Sequence, residues 1–172
     1  MSRYASRVEA IIFCGIQGSG KSTFFKQRFA DTHIRINLDM LRTRRREEIL
    51  LNACLEAKQR FVVDNTNPTI EARSRYTEPA LAAGFNLVAF YFDISVGDAI
   101  KRNLNRPKKE RVLPGSIVTT HKGLEPPSKQ EGFDKIYVAR IDGTGGFLVE
   151  EILVPFAALR GESVTNGEQN ES

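Results

Sequence analysis

The chain has few of the residues that build disulfide frameworks. Of its 172 residues only two are cysteine, Cys14 and Cys54, and it has no tryptophan and two methionines. Cys14 ends an apolar run ahead of a glycine loop, and Cys54 lies inside a helical pattern. We therefore expect both cysteines to be reduced packing residues, as in a reducing compartment.

A long apolar run is also missing. No stretch approaches the ~20 apolar residues that a membrane-spanning helix needs. Residues 1–10 lack the apolar centre of a signal peptide. These absences predict a cytoplasmic protein with no membrane partner.

The length and a hydrophobic content of 41% predict one domain around one core. We assign residues 1–160 to that domain and expect the polar residues 161–172 to be disordered.

Net charge is low, because 25 lysines and arginines face 21 acidic residues. That excess does not by itself indicate a polyanionic partner. The basic residues are clustered, however, at 42–46 (RTRRR), at 101–111, and around Arg73 and Arg75. Such clusters favour phosphate-rich ligands. For any single cluster the alternative is a solvated helix face.

Short apolar runs alternate with helical patterns along the chain. Strands are predicted at 8–14, 34–37, 61–64, 86–92 and 135–141. Helices are predicted after Lys21, over 40–59, from Pro68 through Ala83, and from Ser95. Residues 106–115 contain two prolines and many charges, which suits a mobile surface segment. The alternation predicts an α/β fold, a parallel sheet of about five strands with helices on both faces.

The strongest motif is a phosphate-binding loop. Residues 15–22 match G-x-x-x-x-G-K-[ST], between a predicted strand and a predicted helix. Glycines let backbone N–H groups turn towards phosphates at a helix N-terminus. Lys21 is expected to reach the β- and γ-phosphates of ATP, and the Ser22 hydroxyl to hold Mg²⁺. The predicted nucleotide-binding residues of this loop are Gly15, Gln17, Gly18, Ser19, Gly20, Lys21, Ser22 and Thr23.

Two aspartates follow predicted strands, where parallel sheets bind their ligands. Asp39 comes after the second strand and is our candidate for the base that orients an acceptor hydroxyl and takes its proton. Asp64 ends the third strand and is a candidate for Mg²⁺ binding, directly or through water. The alternatives are a helix N-cap for Asp39 and a structural turn residue for Asp64.

Arginines on the fourth helix suggest a lid. Arg102 and Arg106 lie four residues apart, on one helical face, and Pro107 is expected to end the helix. If that face closes over ATP, Arg106 can neutralise charge that develops on the γ-phosphoryl oxygens. The alternative is an exposed cationic face.

Together the segments G-x-x-G-S-G-K-S-T, I-N-L-D-M-L-R, V-V-D-N-T-N-P, A-R-S-R-Y and K-R-N-x-x-R resemble the kinase domain of the 5'-hydroxyl polynucleotide kinases over residues 10–140. The resemblance implies that Asp39 is the general base and that Arg42 holds the acceptor's phosphate. It implies lid roles for Arg102 and Arg106. It also implies an acceptor site shaped by Asp64, Asn65, Thr66, Asn67 and Pro68, to which we add Arg73. Viral members have N-R-D where this chain has Leu38 in the middle position, so one basic contact is absent.

The favoured hypothesis is therefore an ATP- and Mg²⁺-dependent kinase of the 5'-hydroxyl end of DNA or RNA, acting as a monomer or weak homodimer. Residues 140–144 superficially resemble the D-x-D-G-T of phosphatases, but Arg140 replaces the nucleophile, so we expect a turn and kinase activity alone. Two alternatives stay open, a kinase of a small-molecule hydroxyl such as a sugar, nucleoside or nucleotide-sugar, and a P-loop ATPase switch without an acceptor.

Overall fold

Strands and helices alternate through residues 8–156, the part of the chain that the computed structural model describes. The strands are β1 Glu9–Cys14, β2 Ile34–Ile36, β3 Phe61–Val63, β4 Asn86–Phe92, β5 Lys135–Ile141 and β6 Phe147–Glu151. The α-helices are α1 Lys21–Arg28, α2 Leu38–Leu41, α3 Arg44–Glu56, α4 Ile70–Ala82, α5 Val96–Leu104 and α6 Pro114–Lys122. Short 3₁₀ turns cover Lys108–Glu110 and Lys129–Glu131.

The strands form one sheet in the order β2-β3-β1-β4-β5-β6. The first five are parallel, as predicted, and β6 pairs antiparallel with β5. The sequence analysis missed β6, a half-exposed edge strand in which three apolar residues are followed by two glutamates. It follows a tight turn in which Gly143 and Gly145 adopt φ values of 82° and 96°. The turn predicted after the fifth strand is therefore confirmed.

Each face of the sheet has its own apolar cluster. On one face α3 and α4 cover Ile12 and Val63. On the other face α1 packs on Ile11 and Phe13 with its own Phe24. Because both sides of the central strands are buried, these strands are continuous apolar runs rather than alternating ones.

The segment at 106–115 is exposed except at Arg106 and Val112, as predicted for a surface segment, and the helix α6 that it leads into packs on the P-loop. Ile117 of α6 is fully buried with Ile16 of the loop. The Asn103 side chain donates to the Val112 carbonyl at 2.8 Å and accepts from the Val112 amide at 3.1 Å, which fastens the connection after α5. Pro114 begins α6 rather than breaking a helix, since proline suits the first helical turn.

The helix predicted over 40–59 is two helices. Asn37 caps α2 by accepting the Met40 amide, and Thr43 caps α3 by accepting the Arg46 amide. Between them Arg42 has a φ of 72°, a left-handed conformation that ends α2. Asp39 is in the first turn of α2, so the N-cap alternative for Asp39 is wrong.

Both cysteines are free and buried, as predicted, and burial raises the pKa of Cys14 to about 11. Between residues 8 and 156, no helix has the length and apolar character needed to cross a bilayer. The predicted domain end at residue 160 and the predicted disorder over 161–172 lie outside the described residues.

Candidate active site

The P-loop runs from the end of β1 to the start of α1. Gly18 and Gly20 adopt φ values of 82° and 97°, which disfavour any residue with a side chain. A Cβ at Gly18 would lie 2.6 Å from the Ala99 carbonyl oxygen of α5. The loop's shape therefore depends on glycine at a point where α5 touches it.

The ammonium group of Lys21 is bound by the loop itself. It donates to the carbonyl oxygens of Gly15 at 2.8 Å and Ile16 at 2.7 Å, and to the Ser19 hydroxyl at 3.3 Å. Burial lowers the pKa of Lys21 from 10.5 to about 8, against the opposing attraction of Asp64. Phosphate oxygens at the loop would restore the preference for the charged form.

Ser22 and Asp64 lie together, and an arginine that the sequence analysis missed joins them. The Ser22 hydroxyl donates to Asp64 Oδ2 at 3.3 Å. Arg35 Nε donates to the same carboxylate oxygen at 2.8 Å, and its Nη2 reaches that oxygen at 2.5 Å and Ser22 Oγ at 2.8 Å. The alternation of Ile34, Arg35 and Ile36 along β2 was the available signal, since it turns Arg35 away from the face that buries Ile36.

Asp39 projects from α2 at the rim of the same cleft and is exposed. Its helix is fixed to the end of β3 by two asparagines. Asn37 Nδ2 donates to the Asp64 carbonyl at 2.5 Å, and the Leu38 amide donates to Asn65 Oδ1 at 2.9 Å. These bonds hold the segment that carries Asp39 beside the P-loop and leave its carboxylate available.

A buried polar network supports the wall of the cleft. The Tyr76 hydroxyl donates to Glu47 Oε1 at 2.8 Å and accepts from Asn65 and Arg44. Burial and the neighbouring Glu47 raise the pKa of Tyr76 to about 12, so the hydroxyl stays protonated. Glu47 also accepts from Arg44 at 2.7 Å. The side-chain amide of Asn65 therefore stabilises the fold at this wall, through its hydrogen bonds to Glu47 and Tyr76.

Thr66 and Asn67, which were also predicted to belong to the acceptor-substrate site, stabilise the fold as well. The Asn67 amide donates to the Phe13 carbonyl at 2.7 Å, and the Thr66 carbonyl accepts the Gly15 amide at 3.0 Å. These bonds fasten the loop after β3 to the end of β1. Both residues still contribute to the lining of the cleft.

Arg73 does not reach the cleft, and its predicted role in binding substrate is wrong. The side chain is fully buried in a two-bond ion pair, Nε to Glu131 Oε2 at 2.7 Å and Nη2 to Oε1 at 2.8 Å. Its remaining nitrogen donates to the Asn67 and Glu125 carbonyls. The residue two positions later, Arg75, is exposed and lines the cleft.

The lid arginines differ in position. Arg102 is on α5 and donates to the Gly18 carbonyl at 3.0 Å. Arg106 lies beyond the end of α5, which stops at Leu104, so the two arginines do not share one helical face. Arg106 is half-buried and lines both the cleft beside the P-loop and a smaller pocket that Arg102 and Thr23 also line.

The cleft beside the P-loop has a volume of about 390 Å³. Predicted site residues in its lining are Gln17, Gly18, Gly20, Lys21, Ser22, Asp39, Asp64, Asn65, Thr66, Asn67 and Arg106. Gln17 Oε1 is buried there and has no hydrogen-bond partner among the described residues. Gly15 and Ser19 are buried within the P-loop and do not line the cleft. Arg42 is exposed and does not line the cleft either. Lining residues that the sequence analysis did not assign include Arg44, Arg75, Tyr76 and Glu110.

Residues 11–122 match the AAA_33 family, described as an AAA domain. The chain belongs to the AAA_33 family. Its fold is that of the P-loop kinases, and a gluconokinase from Sinorhizobium meliloti superposes with a TM-score of 0.54 at 18% identity, covering 78% of this chain and 83% of that one. This AAA_33 chain therefore has a P-loop kinase fold, with the P-loop at the carboxyl end of β1.

Curated relatives of this AAA_33 chain include the bifunctional polynucleotide phosphatase/kinase of Schizosaccharomyces pombe, 26% identical over 137 residues. A putative bifunctional polynucleotide phosphatase/kinase from Acanthamoeba polyphaga mimivirus is 27% identical over 136 residues. Each match covers 74% of this chain and 32% of the relative. The chain thus matches about a third of the length of these relatives.

Proposed function

We propose that this protein is an ATP-dependent kinase of the 5'-hydroxyl ends of nucleic acids. The observation that carries the proposal is the shape of the cleft beyond Asp39. Arg44, Arg75 and Tyr76 line the cleft and also line an adjoining groove between α3 and α4, which Arg45 borders. Glu47 and Glu48 line this groove as well, so its three arginines leave it a net positive charge of one. A positive groove that adjoins the reaction site suits a phosphodiester strand better than an isolated small molecule. The names of the two curated relatives support the same acceptor class.

In the proposed reaction the 5'-oxygen attacks the γ-phosphorus of ATP from the Asp39 side of the cleft. A new oxygen–phosphorus bond forms, the bond to the β-phosphate oxygen breaks, and the hydroxyl proton passes to the Asp39 carboxylate. Lys21 and the loop amides hold the phosphates of ATP, and Arg106, which lines the same cleft, neutralises charge on the transferring group. Positioning and charge stabilisation supply most of the rate in such transfers.

Ser22 and Asp64 would hold Mg²⁺ in this scheme. Hydroxyl and carboxylate oxygens are the hard donors that Mg²⁺ prefers, and the two side chains are within hydrogen-bond distance of each other. The ion would supply charge neutralisation at the β- and γ-phosphates. Arg35 is bonded to both donors and must move aside for the ion to reach them.

The test is phosphate transfer from γ-labelled ATP to 5'-hydroxyl DNA and RNA oligonucleotides, with the same strands bearing 5'-phosphates as controls. We expect label on the 5'-hydroxyl strands alone. Gluconate and nucleosides serve as small-molecule acceptors. Label on a small molecule with none on the strands would replace the proposal by the small-molecule kinase. ATP hydrolysis at one rate with or without any acceptor would replace it by the ATPase switch.

A further inference from the structure

Arg35 is a side chain for which the phosphoryl-transfer scheme has no role. It is the middle residue of β2, and its guanidinium carbon lies 5.4 Å from the centre of the Phe25 ring. All three of its hydrogen bonds into the site end on two atoms, Ser22 Oγ and Asp64 Oδ2. Those are the Ser22 hydroxyl and one of the two carboxylate oxygens of Asp64, and both are candidate ligands of the divalent cation.

The ion pair between Arg35 and Asp64 is strong because the carboxylate is buried. The Asp64 side chain is 1% exposed, and a buried carboxylate without a cationic partner is costly. The guanidinium provides that charge through two N–H groups on one oxygen, and the ring of Phe25 supports it by a cation–π contact. Asp64 is therefore already paired by a group built into the protein.

A divalent cation at these oxygens competes directly with that group. The guanidinium would have to leave Asp64 Oδ2 before a metal ion or a metal-bound water could take its place. If Arg35 occupies the oxygens in more than about nine tenths of the molecules, the apparent dissociation constant of a free metal ion rises by about tenfold or more. A nucleotide that arrives with its metal adds phosphate contacts to the loop and can offset this cost.

We propose that Arg35 is a positioning residue that closes the divalent-cation site to the free ion, so that the protein takes its metal together with the nucleotide. The inference rests on the proposed metal role of Ser22 and Asp64 and is independent of which acceptor is phosphorylated. Loss of activity on oligonucleotides would leave it intact.

Binding of Mn²⁺ to the nucleotide-free protein, followed by the electron paramagnetic resonance signal of the free ion, tests the proposal. We expect wild type to bind Mn²⁺ at least about tenfold more weakly than Arg35→Gln. Adding Asp64→Asn to Arg35→Gln should abolish the gained site. The matched control is Arg28→Gln, because Arg28 also lies over a ring, Phe24 at 5.5 Å, but does not line the cleft. Equal Mn²⁺ affinity in wild type and Arg35→Gln would overturn the proposal.

A second measurement needs only the wild-type fold and covers the case in which Arg35→Gln does not fold. The Nε–H resonance of Arg35, assigned by selective arginine labelling, reports its bond to Asp64. We expect millimolar Mg²⁺ alone to leave it unchanged and Mg²⁺ with ADP to shift it. A shift with Mg²⁺ alone would show that the free ion displaces the arginine, which is the opposite of the proposal.

Discussion

At the scale of single residues, the side chains proposed to take part in the reaction differ from those that hold the site in place. Asp39 is exposed at the cleft, whereas Asn37 and Asn65 fix the helix that carries it. Lys21 is held on the carbonyls of its own loop. Substitutions at residues proposed to take part in the reaction should change rates with little effect on stability, and this difference makes the roles measurable.

Asp39→Asn should lower kcat by ~10²–10⁴, the usual contribution of a positioned base. ATP affinity and the melting temperature should stay near wild type, because Asn37 rather than Asp39 caps α2. Steady-state kinetics with a 5'-hydroxyl oligonucleotide and a thermal melt measure the two effects. Asp31→Asn, an exposed acid outside the cleft, is the control. Unchanged kcat in Asp39→Asn would assign the base to another residue.

ATP affinity should fall as the pH rises above about 8. The pKa of Lys21 in the free protein is lowered to about 8, mainly by burial, so the lysine loses its charge above that pH. Bound phosphates favour the charged form, so each further pH unit should weaken binding by up to about tenfold. Calorimetric titration with ATP between pH 7.5 and 9.5 measures the slope. Lys21→Ala should bind weakly and without this slope, and a flat wild-type profile would contradict the assignment.

At the scale of elements, the central strands β1, β3 and β4 could be predicted because each is buried on both faces and reads as an apolar run. The P-loop could be predicted because the motif has a fixed spacing. The sequence did not reveal the break at Arg42, which depends on a left-handed residue that is not glycine. Strand β6 has three apolar residues but lies half-exposed at the edge of the sheet. Helix α6 was hidden because Pro114 is equally common in loops and at helix starts.

The error at Arg73 has the same kind of cause. A basic residue in the A-R-S-R-Y segment looks the same in the sequence whether its partner is solvent, substrate or protein. Its partner Glu131 is 58 positions away, beyond the reach of any local pattern. Arg35 escaped notice for the related reason that its partners, Ser22 and Asp64, come from two other elements.

Arg73 and Arg75 provide a matched pair at this scale. Arg73→Leu should reduce the free energy of unfolding by about 3–5 kcal/mol, because it leaves the buried Glu131 carboxylate unpaired between α4 and the 3₁₀ turn. Arg75→Leu should change stability by less than about 0.5 kcal/mol, as an exposed residue, and should instead weaken oligonucleotide binding. Urea unfolding and fluorescence-anisotropy binding separate the two effects. The reverse pattern would restore Arg73 to the substrate site.

At the scale of the whole molecule, acceptor length is the sharpest test of the groove between α3 and α4. Under the proposed function, a nucleoside at Asp39 would not extend into that groove, whereas a strand of several nucleotides would pass Arg44 and Arg75, which line both the cleft and the groove. We expect kcat/KM to increase from nucleoside to short oligonucleotide and then level off. The binding constant should fall with salt, with a logarithmic slope of about 0.7 for each phosphate contacted on a single strand. Equal kcat/KM for nucleoside and strand, with no salt slope, would point to a small-molecule acceptor.

The β5–β6 hairpin bears on where the minimal working unit of this protein ends. The family match stops at residue 122, ahead of both strands. Yet the Phe147 ring of β6 lies where it would be 3.0 Å from a Cβ at Gly20, and it packs 5.0 Å from the ring of Phe24. A recombinant fragment that ends at residue 122 would keep every residue of the P-loop. It would lose Phe147, which packs beside Gly20 of the loop and Phe24 of α1. Expression boundaries for this protein therefore belong after β6.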